Sequence, residues 1–425
     1  MNYTGYWVGI PDNQAVTGSA GEMSLDLTKV ASQVWGMVTR LRAGGEERQE
    51  RLKNALEALH GRAGELDSLK RKLASSKDKT TWLVAGLVDG LDRHYSVLSL
   101  PAEFTVLATD GSHIGVDRHR STRCYLINIG SVVLHYGVQP TAALDSSPCL
   151  YAGDEDLVIA PAGVDKGREQ LVEGALLDIK RGVEECRHLA ELTAGLPAGG
   201  SVLALLDGSL ILWGLMSKDY PEFVTEALLK RGFLSHLDDI RKLGRDRRLA
   251  LASYISFPRS TDVVNVLRVA LCPGEIVDTD RCSACRTREC ETVAGVQDRE
   301  LFFSLLDPGE RSALFISQSS VVQKHYGEHQ VYFFYLRVGD EVARVEIPQW
   351  VARDEHLLNL VHPLVLDQCR RGQGYPVALS EAHEQAVVTG ADRDNFWQLV
   401  ESSLMEEGLS TLGSAKSLSK RTRWV

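Results

Sequence analysis

An apolar run closing on Asp-Gly-Ser occurs twice in this chain, as LATDGS at 107–112 and as LALLDGS at 203–209. Asp-Gly is ordinary turn chemistry, because Asp bonds its own backbone and Gly accepts positive φ. Apolar runs without alternation, however, read as strands buried on both faces of a sheet. Between the two lies RCYLINIGSVVLHYG, which reads as two strands joined at Gly130-Ser131. Then comes GREQLVEGALLDIKRGVEECRHLAELTAGL, where Val172, Ala175, Leu176, Ile179, Val183, Cys186 and Leu189 recur at helical spacing. LPAGG ends that helix. The order strand with Asp, hairpin, long helix, strand with Asp predicts an α/β chain with a mixed sheet flanked by helices. Each aspartate then sits at a strand end, and the two meet if their strands are neighbours.

Around this centre the chain divides into zones. Residues 1–100 form a helical region rich in Leu, Ala, Glu, Lys and Arg. Leu52, Leu56, Leu59, Leu66, Leu69 and Leu73 trace a narrow apolar stripe, and Gly44-Gly45 breaks the region into two helices. Such a hairpin packs on its own domain or docks a partner or second copy. Residues 101–425 hold the sheet, with later strands LASYISF, SALFIS, VYFFYLRV and EVARVEIP and a cysteine-rich insertion at 270–292. The tail GSAKSLSKRTRWV reads as flexible. No apolar run approaches the ~18 residues of a membrane span. MNYTGYWVGIPDNQ lacks the basic start and apolar core of a secretory signal, so the expected compartment is the cytoplasm. There the eight cysteines do not make a disulfide framework. A net charge of −10 argues against a non-specific nucleic-acid coat. It does not exclude a nuclease, whose acidic site a metal ion inverts in sign.

Two-metal phosphodiester cleavage needs several carboxylates on one spot, holding ions ~3.5–4 Å apart. Asp110 and Asp207 are two candidates. The Gly after each allows close backbone approach, and Ser112 and Ser209 are candidate phosphate contacts or turn caps. A third acid should come from the intervening helix. With its core face centred on Ile179, Val183 and Ala190, Glu173 and Glu184 share a flank, being about three turns apart. Glu185 points more to solvent on this reading, and Glu184 lies nearer the end feeding the second Asp strand, so Glu184 is the choice. Arg259 in SFPRS, just past a strand, suits bidentate phosphate binding or a surface ion pair.

These residues resemble the NurA nucleases over about 100–425. The resemblance rests on TDGS at 109–112, LLDGSL at 205–210 after an Arg- and Glu-bearing helix, and GYPVALSEAH at 374–383. It implies an RNase H-like core in which Asp110, Glu184 (or Glu185), Asp207, Tyr375 and His383 are the catalytic set. It also implies manganese- or magnesium-dependent DNA hydrolysis, with 5′ to 3′ exonuclease and single-strand endonuclease activity. A homodimer enclosing a narrow DNA channel and a HerA-type hexameric ATPase as partner belong to the same implication. Asp110, Glu184 and Asp207 would hold the metals. His383 is a further ligand or proton shuttle, and Tyr375 orients water or phosphate through its hydroxyl. A non-catalytic adaptor subunit that kept the fold is the competing reading.

Cys272, Cys282, Cys285 and Cys290 form C-x9-C-x2-C-x4-C, a structural metal signature, most simply zinc, with an iron–sulfur cluster as the alternative. This insertion departs from the NurA pattern. Cys124, Cys149, Cys186 and Cys369 are scattered and read as buried free thiols. His325 and His329 are four apart but read as turn residues, because HYGEHQVYF contains a Gly and leads into a strand. No Walker A loop occurs, so ATP hydrolysis must come from a partner.

Overall fold

The first Asp-Gly-Ser run becomes strand β1 (Phe104–Ile114), which alternates between two cores. Phe104, Val106 and Ala108 face one side of the sheet and Leu107 the other, which is why the run is apolar throughout. β2 (Tyr125–Tyr136) and β3 (Thr141–Tyr151) continue from it as an antiparallel meander. After a helical crossover, β4 (Ser201–Asp207) pairs parallel on the opposite side of β1, and β5 (Arg248–Ile255) pairs parallel to β4. The hairpin of β6 (Val331–Val338) and β7 (Glu341–Pro348) joins antiparallel at β5. The order across the sheet is β6-β7-β5-β4-β1-β2-β3, and short strands beyond β6 bring the total among the described residues to eleven. This computed structural model describes residues 26–62, 64–120, 122–161, 168–215 and 220–409. The N-terminal MNYTGYWVGIPDNQ and the basic tail lie outside the described residues.

Two details of the sheet differ from the sequence reading. RCYLINIGSVVLHYG is one continuous strand and does not turn at Gly130-Ser131, because Gly130 pairs with Asp110 in an unbroken ladder. The second arm of the hairpin is instead β3, whose TAALDSSPCLY has no apolar pattern. It is an exposed edge strand held by its register with β2, and an edge tolerates Pro148. Cys149 on β3 is accordingly exposed, while Cys124, Cys186 and Cys369 are buried as expected of free thiols.

The chain forms two compact units, Met1–Glu50 and Arg51–Val425. The first contains α1 (Leu27–Ala43), N-capped by Asp26 through the Thr28 and Lys29 amides, with Trp35 and Leu41 exposed. Gly44 caps it, and the next helix, α2, spans Gly45–Arg62. The division between the units falls after Glu50. Leu59 of α2, Leu69 of α3 (Leu66–Ser76), Leu87 and Leu91 are buried in a core shared with Phe302 and Phe333. Leu52, Leu56, Leu66 and Leu73 pack against the same core, so the whole leucine stripe belongs to the second unit.

Helices cover both faces of the sheet. On one face α4 (Ala175–Gly195) buries Leu176, Ile179, Val183, Cys186 and Leu189 against Leu107, Ala204 and Leu206. Near the β6 end lies α5 (Asp262–Leu271), packed with α2 and α3. On the other face α6 (Glu355–Arg371) and α7 (Val377–Ala386) pack Val361, Leu364, Ala378 and Ala382 against Val106, Ala108, Leu203 and Leu205. Among the described residues no helix is long and apolar enough to cross a membrane.

Candidate functional site

Thr109 pairs with Leu206 across the parallel β1–β4 ladder, so Asp110 and Asp207 are next-door neighbours one step further on. Both keep the phase of residues that face α6 and α7: 106 and 108 on β1, 203 and 205 on β4. The two carboxylates therefore face the same side, where the parallel ladder stops: Asp207 ends β4, whereas Asp110 lies inside β1, which runs on to Ile114 paired with β2. The Asp-Gly-Ser runs are thus not mere turns. Each delivers an acid to one place.

Two side chains from the overlying helix region hold these acids. Nδ1 of His383, on α7, is 2.7 Å from Asp110 Oδ2, and its ring is 63% exposed. The Tyr375 hydroxyl, just before α7, donates to Asp207 Oδ1 at 2.8 Å. The Tyr375 ring stacks edge-on against Tyr254 with centroids 5.5 Å apart. α7 reaches the sheet because Gly130, paired with Asp110, has no side chain. A Cβ there would stand 2.1 Å from the Ala382 carbonyl oxygen. The helix end is pinned where the Ala386 carbonyl accepts from Ser112 Oγ and from Asn128 Nδ2 at 3.0 Å.

The third acid arrives from the other face of the sheet, and it is Glu185. A Cβ on Gly111 would lie 2.7 Å from Glu185 Oε1, so the glycine after Asp110 is what admits this carboxylate. Arg181, one helical turn earlier, bonds Glu185 Oε1 and the Gly111 carbonyl, each at 2.6 Å, and lies 3.8 Å from Asp110 Oδ1. The Thr109 hydroxyl donates to the Glu185 carbonyl at 3.0 Å. Burial, reinforced by the charges of Asp110 and Asp207 and opposed by Arg181, pushes the Glu185 carboxyl up to about 8. Asp207 is also raised, first by desolvation from the protein around it and then by the Asp110 charge, although its outer face is open to solvent. The Tyr375 hydrogen bond works against that rise. Burial and the Asp207 charge raise Tyr375, so its phenol stays protonated.

Several sequence-predicted residues lie elsewhere. Glu184 turns away from the aspartates and pairs with Arg187 at 2.7 Å and Lys180 at 3.5 Å. Burial alone would raise it, but these partners hold it below the usual carboxylate range. Choosing a flank from the apolar pattern mistook which side of α4 meets the end of β1. Glu173 precedes the helix and pairs with Arg118 at 2.9 Å. Neither serine is free for a phosphate: Ser112 holds α7, and Ser209 donates to Glu346 Oε2 at 2.8 Å while accepting from Ile211 N and Trp213 Nε1. Glu346, almost fully buried on β7, also takes the Leu210 amide and Arg344 Nε, each at 2.9 Å, so it braces the second Asp-Gly-Ser loop. Arg259 is exposed in the loop past β5. His325 ends a short helix, and His329 is buried in a 3₁₀ turn with Nε2 2.9 Å from Asp238. The role of Arg181 was missed, Gly130 was read as a strand junction, and Gly111 was expected only to allow close backbone approach, not to admit Glu185. The only sequence signal for them was their placement beside an acid or at mid-strand.

Among the described residues, no group of three His, Cys, Asp or Glu side chains is already arranged to hold a metal ion. The acids are nonetheless an all-oxygen set of the kind hard divalent cations take. The charge of Asp110 disfavours ionisation of both Glu185 and Asp207, a strain that a cation relieves. A family model described as NurA domain matches residues 104–388. A search of curated proteins returned no match.

Proposed function

We propose, from the premise that this chain belongs to the NurA family, that it is a metal-dependent DNA nuclease with its catalytic centre at Asp110, Glu185 and Asp207. Asp110 and Asp207 side by side on one face, with Glu185 brought in over Gly111, is the observation that carries the reading. A three-strand antiparallel meander followed by two parallel strands fits an RNase H-like core. The three carboxylates would hold manganese or magnesium, which supplies an activated water and neutralises charge on the scissile phosphate. Arg181 holds Glu185 against the strand and offsets the negative charge of the cluster. His383 fixes one Asp110 oxygen and leaves most of its ring exposed to solvent beside the acids. Tyr375 fixes one oxygen of Asp207 and favours its ionised form.

On this reading the enzyme resects DNA 5′ to 3′ and cuts single strands, acting with a HerA-type hexameric ATPase that supplies the translocation this chain has no Walker A loop to drive. A homodimer is supported by β3, which ends the sheet with its eleven residues largely exposed. The test is incubation of labelled duplex and single-stranded DNA with manganese, wild type beside Asp207→Ala. Cleavage by wild type alone is expected. Equal cleavage by both overturns the site, and no cleavage by either favours the adaptor reading.

A further inference from the structure

We propose that Cys272, Cys282, Cys285 and Cys290 form a zinc site that locks the insertion after α5 onto the main domain, independently of the nuclease reading. The four thiols are free and line one cavity, shared with Arg268 and Trp82. Cys272 caps α5, and Lys72 on α3 donates to its carbonyl. Cys282 and Cys285 flank a tight turn in which the Cys285 amide bonds the Cys282 carbonyl at 3.1 Å. Cys290 is buried in the next 3₁₀ turn. The backbone is tied down on both sides: the Val277 amide donates to Ser76 Oγ at 2.9 Å, and the Thr279 amide to the Lys79 carbonyl at 3.0 Å. The insertion thus presents two knuckles, Cys272 with Cys290 near the helices and Cys282-x2-Cys285 in the loop, which is the donor set of a tetrahedral thiolate site.

A second observation points to an anion at this cavity. Arg268 lies with its guanidinium 3.6 Å over the Trp82 ring and one nitrogen on Asn265 at 3.2 Å. Its Nε is buried and finds no hydrogen-bond partner among the described residues. An unpaired buried N–H on a cation is costly. The four cysteines and Glu291 line the same cavity as this guanidinium. Four thiolates on one zinc carry two net negative charges, which Arg268 offsets, and its Nε–H gains a sulfur acceptor. Among the described residues the thiols are not arranged around an ion, so binding on this proposal requires them to close together, as expected where metal affinity and local folding are coupled. A zinc site suits this place better than an iron–sulfur cluster, because one tetrahedral ion needs only the closing of a turn.

The test uses the full chain carrying Asp207→Ala, so that the carboxylate site contributes little metal. Purified without chelator under reducing conditions, it should hold about one zinc per chain by elemental analysis. Cys282→Ser with Cys285→Ser should reduce zinc by about tenfold or more, and Arg268→Gln should weaken zinc retention against a chelator by roughly 10–100-fold. Misfolding of the cysteine variants is separated by hydrogen exchange on the unmutated insertion: zinc stripping should deprotect residues 272–291, and zinc alone should restore them. Failure of the reduced chain to take up zinc, retention unchanged in the double serine variant, or iron with labile sulfide in its place would each overturn the proposal.

Discussion

Gly130→Ala adds one methyl group to the protein and tests how α7 delivers His383 to Asp110. The new Cβ would stand 2.1 Å from the Ala382 carbonyl oxygen, 2.4 Å from the Ala386 nitrogen and 2.8 Å from the Gln385 carbonyl carbon. Ordinary contact begins near 3.4 Å, so the helix must withdraw by as much as 3.4 − 2.1 = 1.3 Å. All three atoms are backbone, so no side chain can swing aside. The Ala386 carbonyl is tied to Ser112 and Asn128, which resist the movement. Overpacking of this kind costs about 1–3 kcal/mol, roughly 2–4 °C of Tm per kcal/mol in domains of moderate size. The same withdrawal stretches the 2.7 Å His383–Asp110 bond toward 4.0 Å (2.7 + 1.3), beyond hydrogen-bond range. A misplacement of this order costs on the order of 100-fold in rate. The assay is thermal denaturation paired with manganese-dependent cleavage of single-stranded DNA. Gly182→Ala is the control: a Cβ there meets nothing within 4 Å, and alanine in a helix should stabilise by about 0.5–1 kcal/mol. If Gly130→Ala keeps both Tm and activity at wild-type levels, the close approach of α7 is not what positions His383.

Other expectations follow from the same geometry. Glu185→Gln should lower cleavage about 100-fold or more, as loss of an electrostatic group in an active site does, whereas Glu184→Gln should leave the rate within about twofold and lose only ion pairs worth about 1 kcal/mol. Glu185 keeps its proton in the fold up to about pH 8, while the unfolded chain loses it near 4.5. The unfolded state therefore binds fewer protons across that window, and stability falls as pH rises by about 1.4 kcal/mol per unit at most; Glu185→Gln should flatten the Tm-against-pH curve there. Tyr375→Phe keeps the ring against Tyr254 but removes the bond that lowers the Asp207 pKa, so the acid limb of the pH–rate profile should move upward with little change in Tm. Glu346→Ala strips Ser209, the Leu210 amide and Arg344 of a buried partner and should cost about 3–5 kcal/mol in denaturant unfolding.

The strand-borne aspartates and the long helix between them were legible in the sequence, because strands buried on both faces read as unbroken apolar runs and amphipathic helices repeat every 3.6 residues; Tyr375 and His383 were legible only through the resemblance to the NurA nucleases. β3 was not legible. An exposed edge strand has no buried face to write a pattern, and only its register with β2 makes it a strand. The choice between Glu184 and Glu185 was beyond reach for a related reason. Consecutive residues on a helix differ by about 100°, and which of them meets the aspartates depends on how α4 is rolled against β1. That roll is fixed by Gly111, which leaves room for one carboxylate, and by Arg181, which holds it. Ser112 and Ser209 follow the same rule: the sequence put hydroxyls beside the acids, and the packing of α7 and β7 claimed them. Local polarity and spacing therefore determined which acids the buried strands carry. Only the assembled sheet, with helices closing on glycines from both faces, decided which groups meet, because close approach depends on atoms that neighbouring elements lack.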